Sequence, residues 1–495
     1  MQLNDQKARQ LAIALTQATG LLLGSATAYA AEPVATPSMS APSMPAAVAE
    51  TNSTFDFQPS ALLEKGWLVD SAVLIYQEAD SRVQAIEPAI RVQKDLGDQH
   101  VVTAKLVLDS LTGASPNGAT SANVPQSFTG ASGGSAYGGG GGGEQENENE
   151  NENEGAGQSG KVTPANQLPL DDEFKDTRVA ATIGYSMPIA TDTRLSLGAN
   201  ASSEYDFLSF GASGGLARDF NDKNTTVSAD LNVEFDQIDP VGGAPIGLSS
   251  MFAAQKAGSD NKTLTELLLG VTQVINRHAI VQLNYGLSLS NGYQTDPYKV
   301  LTAVDATGHL LHDPRASLAN QYLYLYEQRP DSRTRQSLFA GLKYGFDRGD
   351  VLDASYRLSS DDWGVVSHTL DAKYRYQIGE QFFVEPHLRY YQQSAADFYH
   401  SYLVQGRDFN LSADGSVDPL LSNASADSRL GAFDATTFGI KLGMDLANDR
   451  ELSFRVEQYQ QNPRDVVTIG GNLAGQVLQP DLSATFAQVA YRFKW

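Results

Sequence analysis

The sequence has no cysteine, a deficit of basic residues and, past its first 30 residues, no long apolar run. Without cysteine there can be no disulfide, thiolate metal ligand or cysteine nucleophile. The 35 Lys and Arg stand against 58 Asp and Glu, and the net charge of -23 argues against nucleic-acid binding and a polybasic membrane anchor. Because a spanning helix needs about 18 apolar residues in a row, a membrane form of this chain would have to be a β-barrel.

The N-terminus has the three parts of an export signal. Lys7 and Arg9 precede the apolar stretch from Leu11 to Leu23, and small residues follow up to Ala28-Tyr-Ala30. This order predicts a cleaved signal peptide over the first 30 residues; a short buried helix is the other interpretation. Residues 31–60 are rich in Ala, Pro and Ser, which predicts a disordered lead-in. We expect export to the outer membrane of a Gram-negative bacterium.

The body of the chain alternates between apolar and polar residues. At the C-terminus one face carries Val489, Tyr491, Phe493 and Trp495, and the other carries Gln488, Arg492 and Lys494. Successive side chains of a strand point to opposite faces, so the pattern predicts strands with one apolar face. The aromatic residues Tyr491, Phe493 and Trp495 also resemble the C-terminal signal that the barrel-assembly machinery reads in outer-membrane proteins.

Short connections alternate with long ones. Segments such as Asn221-Asp-Lys-Asn224 have hairpin chemistry, whereas 111–175 and 392–434 are long. Short periplasmic turns and long external loops are typical of bacterial membrane barrels. We therefore predict an all-β, transmembrane antiparallel barrel over 61–495 with about 16 strands, with 14 or 18 as alternatives. A soluble β-sandwich or propeller would alternate too, but charges of both signs on the polar face favour a wet lumen.

A low-complexity segment over 129–160 interrupts the pattern. It contains a glycine run from Gly138 to Gly143. The following glutamates alternate mostly with asparagine: Glu144, Glu146, Glu148, Glu150, Glu152 and Glu154. Glycine entropy and carboxylate repulsion predict a disordered external loop. A calcium site is the alternative, because calcium takes carboxylate and amide oxygens, but without fixed spacing we expect only diffuse attraction of cations.

Several motifs occur in order along the chain. They are Leu111-Thr-Gly-Ala-Ser-Pro-Asn-Gly-Ala119, Leu168-Pro-Leu-Asp171 with Asp176-Thr-Arg178, Asn224-Thr-Thr226, Gly270-Val-Thr-Gln273, Gly292-Tyr293 with Asp296-Pro-Tyr-Lys299, Glu327-Gln-Arg-Pro-Asp-Ser-Arg333, and Asp362-Trp363 with Ser367-His-Thr369. The set resembles the domain of unknown function 3570 family of bacterial outer-membrane proteins. The resemblance implies an outer-membrane β-barrel with no established substrate. It also implies neighbouring genes for flavin-attachment enzymes and small lipoproteins, which hints at an envelope redox partner.

No catalytic constellation is visible, so we expect neither an enzyme nor a bound cofactor. The G-x-S-x-G pattern occurs at Gly130 and at Gly211, but neither place predicts the strand-turn-helix elbow that gives the motif meaning. His368 and His387 lie on neighbouring predicted strands, and we expect both to face the lumen. A pair of His without a third ligand is a weak metal candidate, so we predict no metal site.

Two sets of polar residues are candidates for function. The first lies in predicted loops and strand ends on one side: Tyr298, Lys299, Arg329, Asp331, Arg333, Asp361, Asp362 and Trp363. It would form either an inward constriction with charge selectivity or a salt-bridge network that closes the mouth. The second set is predicted to line the lumen: Glu87, Arg91, Arg357, Lys373, Arg375, Glu385, Arg389, Arg455, Glu457, Arg492 and Lys494.

These observations support two functions. The first is porin-like passage of small polar or charged solutes, because barrels of this strand number hold an aqueous channel unless loops plug it. The alternative is a scaffold for a periplasmic or surface partner, such as a redox lipoprotein, without an open pore. The sequence leaves the solute, the partner and the oligomeric state open.

Overall fold

The computed structural model describes residues 66–79, 82–128, 161–251, 258–316, 321–447, 449–464 and 469–495. The predicted signal peptide over 1–30, the lead-in over 31–60 and the low-complexity segment over 129–160, with its six glutamates, lie outside these residues.

The strands are β1 (Trp67–Glu78), β2 (Val83–Asp95), β3 (Val101–Pro116), β4 (Gln126–Phe128), β5 (Lys161–Thr163), β6 (Leu170–Ala190), β7 (Thr193–Ser203), β8 (Phe207–Phe220), β9 (Thr225–Ile238), β10 (Asp260–Val274), β11 (Ala279–Gly292), β12 (Val300–Val304), β13 (Tyr324–Tyr326), β14 (Ser332–Gly345), β15 (Val351–Asp361), β16 (Val366–Ile378), β17 (Phe382–Gln393), β18 (Tyr402–Val404), β19 (Phe409–Leu411), β20 (Val417–Pro419), β21 (Phe433–Leu446), β22 (Arg450–Pro463) and β23 (Leu482–Lys494). Two short 3-10 helices cover Ser428–Leu430 and Gly471–Leu473. In the part of the chain described, no helix has the length and apolarity needed to cross a membrane.

Sixteen strands form one closed antiparallel barrel, which confirms the predicted fold. The wall consists of β1 to β3, β6 to β11, β14 to β17 and β21 to β23, in chain order. The first and last strands close the ring: Trp67 N donates to Trp495 O at 2.7 Å, and Trp495 N donates back to Trp67 O at 2.8 Å. Closure leaves no sheet edge unpaired, as a bilayer requires of any spanning sheet.

Each wall strand has an apolar outer face and a more polar inner face. On β9, Leu231 and Phe235 are exposed on the outside, whereas Asp230 and Asp236 are buried on the inside. This arrangement inverts that of a soluble protein, because the large exposed side chains of the wall are apolar. The outer face therefore forms an apolar band, and the fold is an outer-membrane-type barrel.

The two ends of the barrel differ. At the end that carries both termini, which we name the terminal end, the connections are short: 96–100, 191–192, 221–224, 275–278, 346–350, 379–381 and 447–449. These are the positions where the sequence predicts hairpin turns. At the opposite, loop end, the longer connections include 117–169, 239–259, 293–331, 394–432 and 464–481.

The long connections pack together over the barrel as a unit that we name the loop assembly (residues 117–128, 239–251, 293–316, 321–331, 394–432 and 469–481). Strand β12 pairs with β13 and, in parallel, with β18, so two connections share one small sheet. Leu301, Leu325 and Leu403 are completely or almost completely buried in its core. Gly118 approaches the main chain of Val300 so closely that a Cβ atom there would lie 2.5 Å from the Val300 carbonyl oxygen.

Candidate functional site: the lumen and its mouth

All eleven residues that the sequence predicts to line the lumen lie on the inner face of the wall. On each strand they alternate with the exposed apolar residues, so the two sets point to opposite faces. Arg389 and Glu457 are almost fully buried there. At the terminal end, Arg492 pairs with Asp70, and Lys494 Nζ lies 2.6 Å from Asp449 Oδ2.

The centre of one side is an ionic network around His387. His387 Nε2 lies 2.8 Å from Asp371 Oδ2, and His387 Nδ1 lies 2.9 Å from Glu457 Oε1. Arg455 Nε is 3.8 Å from Glu457 Oε1, and Lys373 Nζ is 3.9 Å from Asp371 Oδ1. Asp371 and Glu457 therefore share His387, and each also has a basic residue on its own strand.

His368 does not join this network, and the expectation that it faces the lumen is wrong. It shares the outer face of β16 with the exposed residues Val366 and Leu370, because side chains two residues apart lie on the same face. Its Nδ1 lies 2.8 Å from the hydroxyl of Tyr356 on the adjacent strand. The two histidines are thus on opposite sides of the wall.

The other side of the lumen carries a row of acidic residues on β9 and β10, which we name the acidic wall: Asp230, Glu234 and Glu266. Amide side chains donate hydrogen bonds to two of these carboxylates. Asn200 Nδ2 donates to Glu234 Oε2 at 3.4 Å, and Asn232 Nδ2 donates to Glu266 Oε2 at 3.3 Å. Nearer the loop end, Lys262 Nζ lies 3.0 Å from Asp236 Oδ2, so that carboxylate has its own cation.

Glycine and other small residues surround the acidic wall. Gly211 and Gly215 face the lumen on β8, and their missing side chains make room for Asn200 and Asp230. A Cβ atom on Gly215 would lie 2.0 Å from Asp230 Oδ1. The Asp230 carboxylate therefore lies against the main chain of Gly215, in the space that a side chain there would fill.

The two sides face each other across the barrel. In the ring of 16 strands, β9 and β22 are eight places apart, and strands half a ring apart lie opposite. Asp230 is near the middle of β9, and Glu457 is near the middle of β22. The lumen thus has an acidic wall with small residues on one side and the bulky His387 network on the other.

The mouth contains a buried ionic network that joins two connections of the loop assembly. Arg329 Nε lies 2.6 Å from Glu327 Oε1, and Arg329 Nη2 lies 2.8 Å from Asp427 Oδ2. Arg429 pairs with the same Asp427 and with Asp296 Oδ2 at 3.0 Å. We name these five residues the loop latch.

Opposite effects set the ionisation of the latch carboxyls. Burial would raise the pKa of Asp427, but Arg429 and Arg329 outweigh it and hold that pKa well below its usual range. Burial is the largest effect on Glu327 and raises its pKa, although Arg329 opposes the change. Asp427 is therefore held in its ionised form by the two arginines.

A second cluster stands at the loop end of β14 and β15. Arg333 pairs with Asp361, and its guanidinium lies 4.3 Å from the centre of the Trp363 ring. Trp363 Nε1 donates to Ser332 O at 2.8 Å. Asp362 Oδ1 accepts from Thr334 N at 2.9 Å.

Two further predicted mouth residues adjoin the latch, and a third is exposed. Tyr298 N donates to Asp296 Oδ1 at 3.1 Å, and the Lys299 carbonyl accepts from Glu327 N at 3.1 Å. Tyr298 donates its hydroxyl proton to Asp206 Oδ2 at 2.8 Å, and burial raises the pKa of Asp206 to about 6. Lys299 donates to the Pro116 carbonyl, which ties two connections together. Asp331 is exposed, and its main-chain oxygen accepts from Gly292 N at 2.8 Å.

Sequence reasoning missed the partners of Arg329 and the whole acidic wall. Glu327 and Asp296 each lie inside a motif that the sequence singles out, but nothing in the motifs pairs them, and Asp427 and Arg429 lie in neither motif. The acidic wall did leave a signal. Asp230, Asn232, Glu234 and Asp236 alternate with Leu231, Val233 and Phe235, which is the period of a strand with one polar face.

The residues that the structure describes contain no cluster of side chains that would ligate a metal ion. No group of three or more His, Asp or Glu side chains in them is arranged to hold one. His387 has only two acidic neighbours within hydrogen-bond distance, and both are matched by Arg455 or Lys373. The acidic wall is spread along two strands rather than gathered around a point.

The sequence matches the family described as protein of unknown function DUF3570 over residues 32–493. The chain belongs to this family. The DUF3570 assignment agrees with the resemblance of the motifs and covers almost the entire chain. A comparison with curated proteins finds no match.

Several solved structures are similar to this DUF3570 barrel at low sequence identity. The siderophore receptor PirA from Acinetobacter baumannii has a TM-score of 0.36 and 8% identity over 88% of this chain and 57% of its own. CdiB from the same organism has a TM-score of 0.38 and 8% identity over 87% of this chain and 60% of its own. A bacterial polysaccharide outer membrane secretin has a TM-score of 0.39 and 8% identity over 87% of this chain and 99% of its own. The barrel is established by its own strand pairing, since these scores are low.

Proposed function

We propose that this protein lies in the outer membrane and lets small polar or charged solutes pass through its lumen. The observation that supports passage most directly is the asymmetry of the inner wall. On β8, glycine and serine face the lumen, and Asp230 occupies the place of the missing Gly215 side chain. The opposite side bears the larger side chains of His387, Arg389 and Arg455. The lining of the β8 side is mostly polar, although Leu264 and Leu268 also face inward, so it favours water and hydrated solutes.

The loop assembly sets the size limit. Its connections are fixed to one another by a shared apolar core and by the loop latch, so they form a rigid cover with restricted openings. A rigid cover over an aqueous lumen gives a selective pore rather than a wide diffusion channel. The apolar outer band would meet the lipid, and the short turns would face the periplasm.

The test is single-channel conductance of the refolded protein in a planar bilayer. Heat-modifiable migration in a gel shows that the barrel has folded. We expect discrete, stable conductance steps. Ser213→Trp should reduce the step size, because Ser213 faces the lumen on the small-residue side.

The matched control is the adjacent residue. Ala212→Trp places the same side chain on the exposed outer face of β8, where it should leave the step size unchanged. A folded barrel without any conductance would contradict the proposal. So would equal effects of the two substitutions.

The loop assembly also favours a second candidate function, a scaffold for a surface or periplasmic partner. A cover with its own buried core presents a fixed surface, which a binding partner can recognise without ordering flexible loops. A silent but folded barrel that retains a purified lipoprotein from the same gene neighbourhood would favour this alternative. Loss of that binding on weakening the latch would place the contact at the mouth.

A further inference from the structure

We propose that the passage selects for cations and that Asp230, Glu234 and Glu266 of the acidic wall form the selecting site. The inference rests on the proposed function, because selection requires passage. The solute class is a small hydrated or organic cation, such as an ammonium or guanidinium compound. The three carboxylates face the lumen on the side where β8 carries glycine and serine.

The protein balances the charges of these carboxylates only from a distance: Arg335 attracts Glu266, and Lys262 attracts Glu234. Among the described residues, no Lys, Arg or His lies within ion-pair distance of Asp230, Glu234 or Glu266, whereas Asp236 has Lys262 at 3.0 Å. Amide hydrogens from Asn200 and Asn232 stabilise two of the three, but an amide carries no positive charge. Buried charge without a counter-charge is costly, so a mobile cation would lower the free energy of the site.

Two buried atoms indicate the chemistry of the missing partner. Asp230 Oδ2 and Asn232 Oδ1 are shielded from solvent and have no hydrogen-bond partner among the described residues. The Asp230 side chain is only 6% exposed. Both atoms are acceptors in a wall of acceptors, so the partner that would satisfy them is a donor, a cation or both.

The spacing of the acidic wall favours a hydrated or organic cation over a bare metal ion. Asp230 pairs in register with Leu268, and Glu266 pairs with Asn232, so the carboxylates occupy successive levels along the lumen. They do not converge on one point, as ligands of a dehydrated metal must. Carboxylates at successive levels allow a cation to be attracted, held weakly and passed on.

The opposite side of the lumen does not cancel this preference. The cations of the His387 network are engaged by carboxylates of the same side, Asp371 and Glu457. Among the described residues, the carboxylates of the lumen centre that have no cation in direct contact are therefore those of the acidic wall. A low-dielectric wall focuses such a charge into the aqueous space and raises the local concentration of cations.

The experiment is the reversal potential of single channels under a tenfold gradient of KCl at low ionic strength, where charge is least screened. The wild-type barrel should pass potassium several-fold better than chloride. The triple variant Asp230→Asn, Glu234→Gln, Glu266→Gln keeps the size of each side chain and should lose most of that preference while it still conducts. Asp222→Asn, in a turn at the terminal end, is the control and should leave the preference unchanged.

The outcomes separate this inference from the proposed function. Conducting channels that prefer chloride, or a triple variant that keeps the wild-type preference, would overturn the cation site and leave passage intact. A silent barrel would overturn passage, and the site would then be tested by binding. Hexaamminecobalt(III), a compact cation with N–H donors, should raise the unfolding temperature of the wild type and not of the triple variant; equal shifts would overturn the site.

Discussion

Arg329 and Asp427 are 98 residues apart in the chain, and Arg329 Nη2 lies 2.8 Å from Asp427 Oδ2. Both side chains are 3% exposed, so water does not weaken the pair. Arg329 precedes β14 and Asp427 precedes β21, on separate loop-end connections. The pair thus joins parts of the mouth that the wall strands alone would leave independent.

Removing one partner of this pair should loosen the mouth without unfolding the wall. Arg329→Met leaves Asp427 and Glu327 with less counter-charge, and breaking a buried pair in this way typically costs about 3–5 kcal/mol. We expect faster cleavage of 394–432 by an added protease, with heat-modifiable migration retained. Arg407→Met is the matched control, because the Arg407 side chain is 60% exposed and such pairs contribute about 1 kcal/mol or less. Equal protease sensitivity of the two variants would contradict the latch.

The two histidines on neighbouring strands should respond differently to the same substitution. His387→Gln removes the group between Asp371 and Glu457 and should destabilise the barrel by about 1–3 kcal/mol, the cost of leaving buried partners unsatisfied. His368→Gln alters an exposed side chain on the outer face and should have little effect. The temperature at which heat-modifiable migration is lost measures both. A larger loss for His368→Gln would contradict the placement of the two rings.

The glycine beneath the acidic wall should be intolerant of even a methyl group. Gly215→Ala forces the Asp230 carboxylate off the sheet and into the lumen, which should reduce the conductance step and destabilise the wall by about 1–3 kcal/mol. Gly345→Ala is the control, because no atom lies within 4 Å of a Cβ built there. An unchanged conductance in Gly215→Ala would show that the carboxylate does not lie along the path of the solute.

The contact between Tyr298 and Asp206 should make one part of the mouth sensitive to pH. Burial raises the pKa of Asp206 from 3.8 to about 6, so ionisation is disfavoured in the folded protein. The folded state then binds more protons than the unfolded state, and local stability falls as pH rises from about 4 through 6. Burial also raises the pKa of Glu204 from 4.5 to about 9, so this group lowers stability over a wider range of rising pH that includes the same window.

Hydrogen exchange of the Val241 amide measures this effect, because Val241 N donates to the Tyr298 hydroxyl at 3.1 Å. Its protection, corrected for the intrinsic exchange rate, should decrease over this pH range. Asp206→Asn, which stays neutral, should lose less protection than the wild type over this range. A wild type and a variant with the same pH profile would exclude Asp206 as the titrating group.

The C-terminal residues should matter for assembly through their apolar face. Trp495 is 82% exposed, and the rings of Tyr491 and Phe493 stack at 5.4 Å. The double variant Phe493→Ala, Trp495→Ala should reduce the folded fraction recovered from the outer membrane. Lys494→Ala, on the other face of the same strand, should not. Equal recovery of both variants would contradict the role predicted for the aromatic residues.

The sequence predicts the wall well because the signals of the wall are local. A strand such as β9 shows its own alternation, and a turn such as Asn221 to Asn224 shows its own chemistry. The small strands of the loop assembly give no such signal. Val304 pairs with Val404, and neither short segment indicates a partner a hundred residues away.

The candidate site divides in the same way. The alternation along a long strand shows which face Arg389 or Glu457 occupies, because the alternation continues without a break from one end of the strand to the other. The same alternation places His368 on the outer face, because it is two residues from the exposed Leu370 on one strand. The latch could not be predicted, because its charges come from connections that converge only when the barrel closes. The acidic wall required counting which carboxylates lack a cation, and that needs distances across strands.

The parallel pairing of β12 with β18 constrains the order of folding. Each strand belongs to a connection anchored at both ends in the wall, so the two can meet only after both have reached the same side of the membrane. In the proposed orientation that side is the exterior of the cell. In this orientation the wall is completed by assembly within the membrane. The mouth completes its fold only at the cell surface, where the buried contacts within the loop assembly direct it.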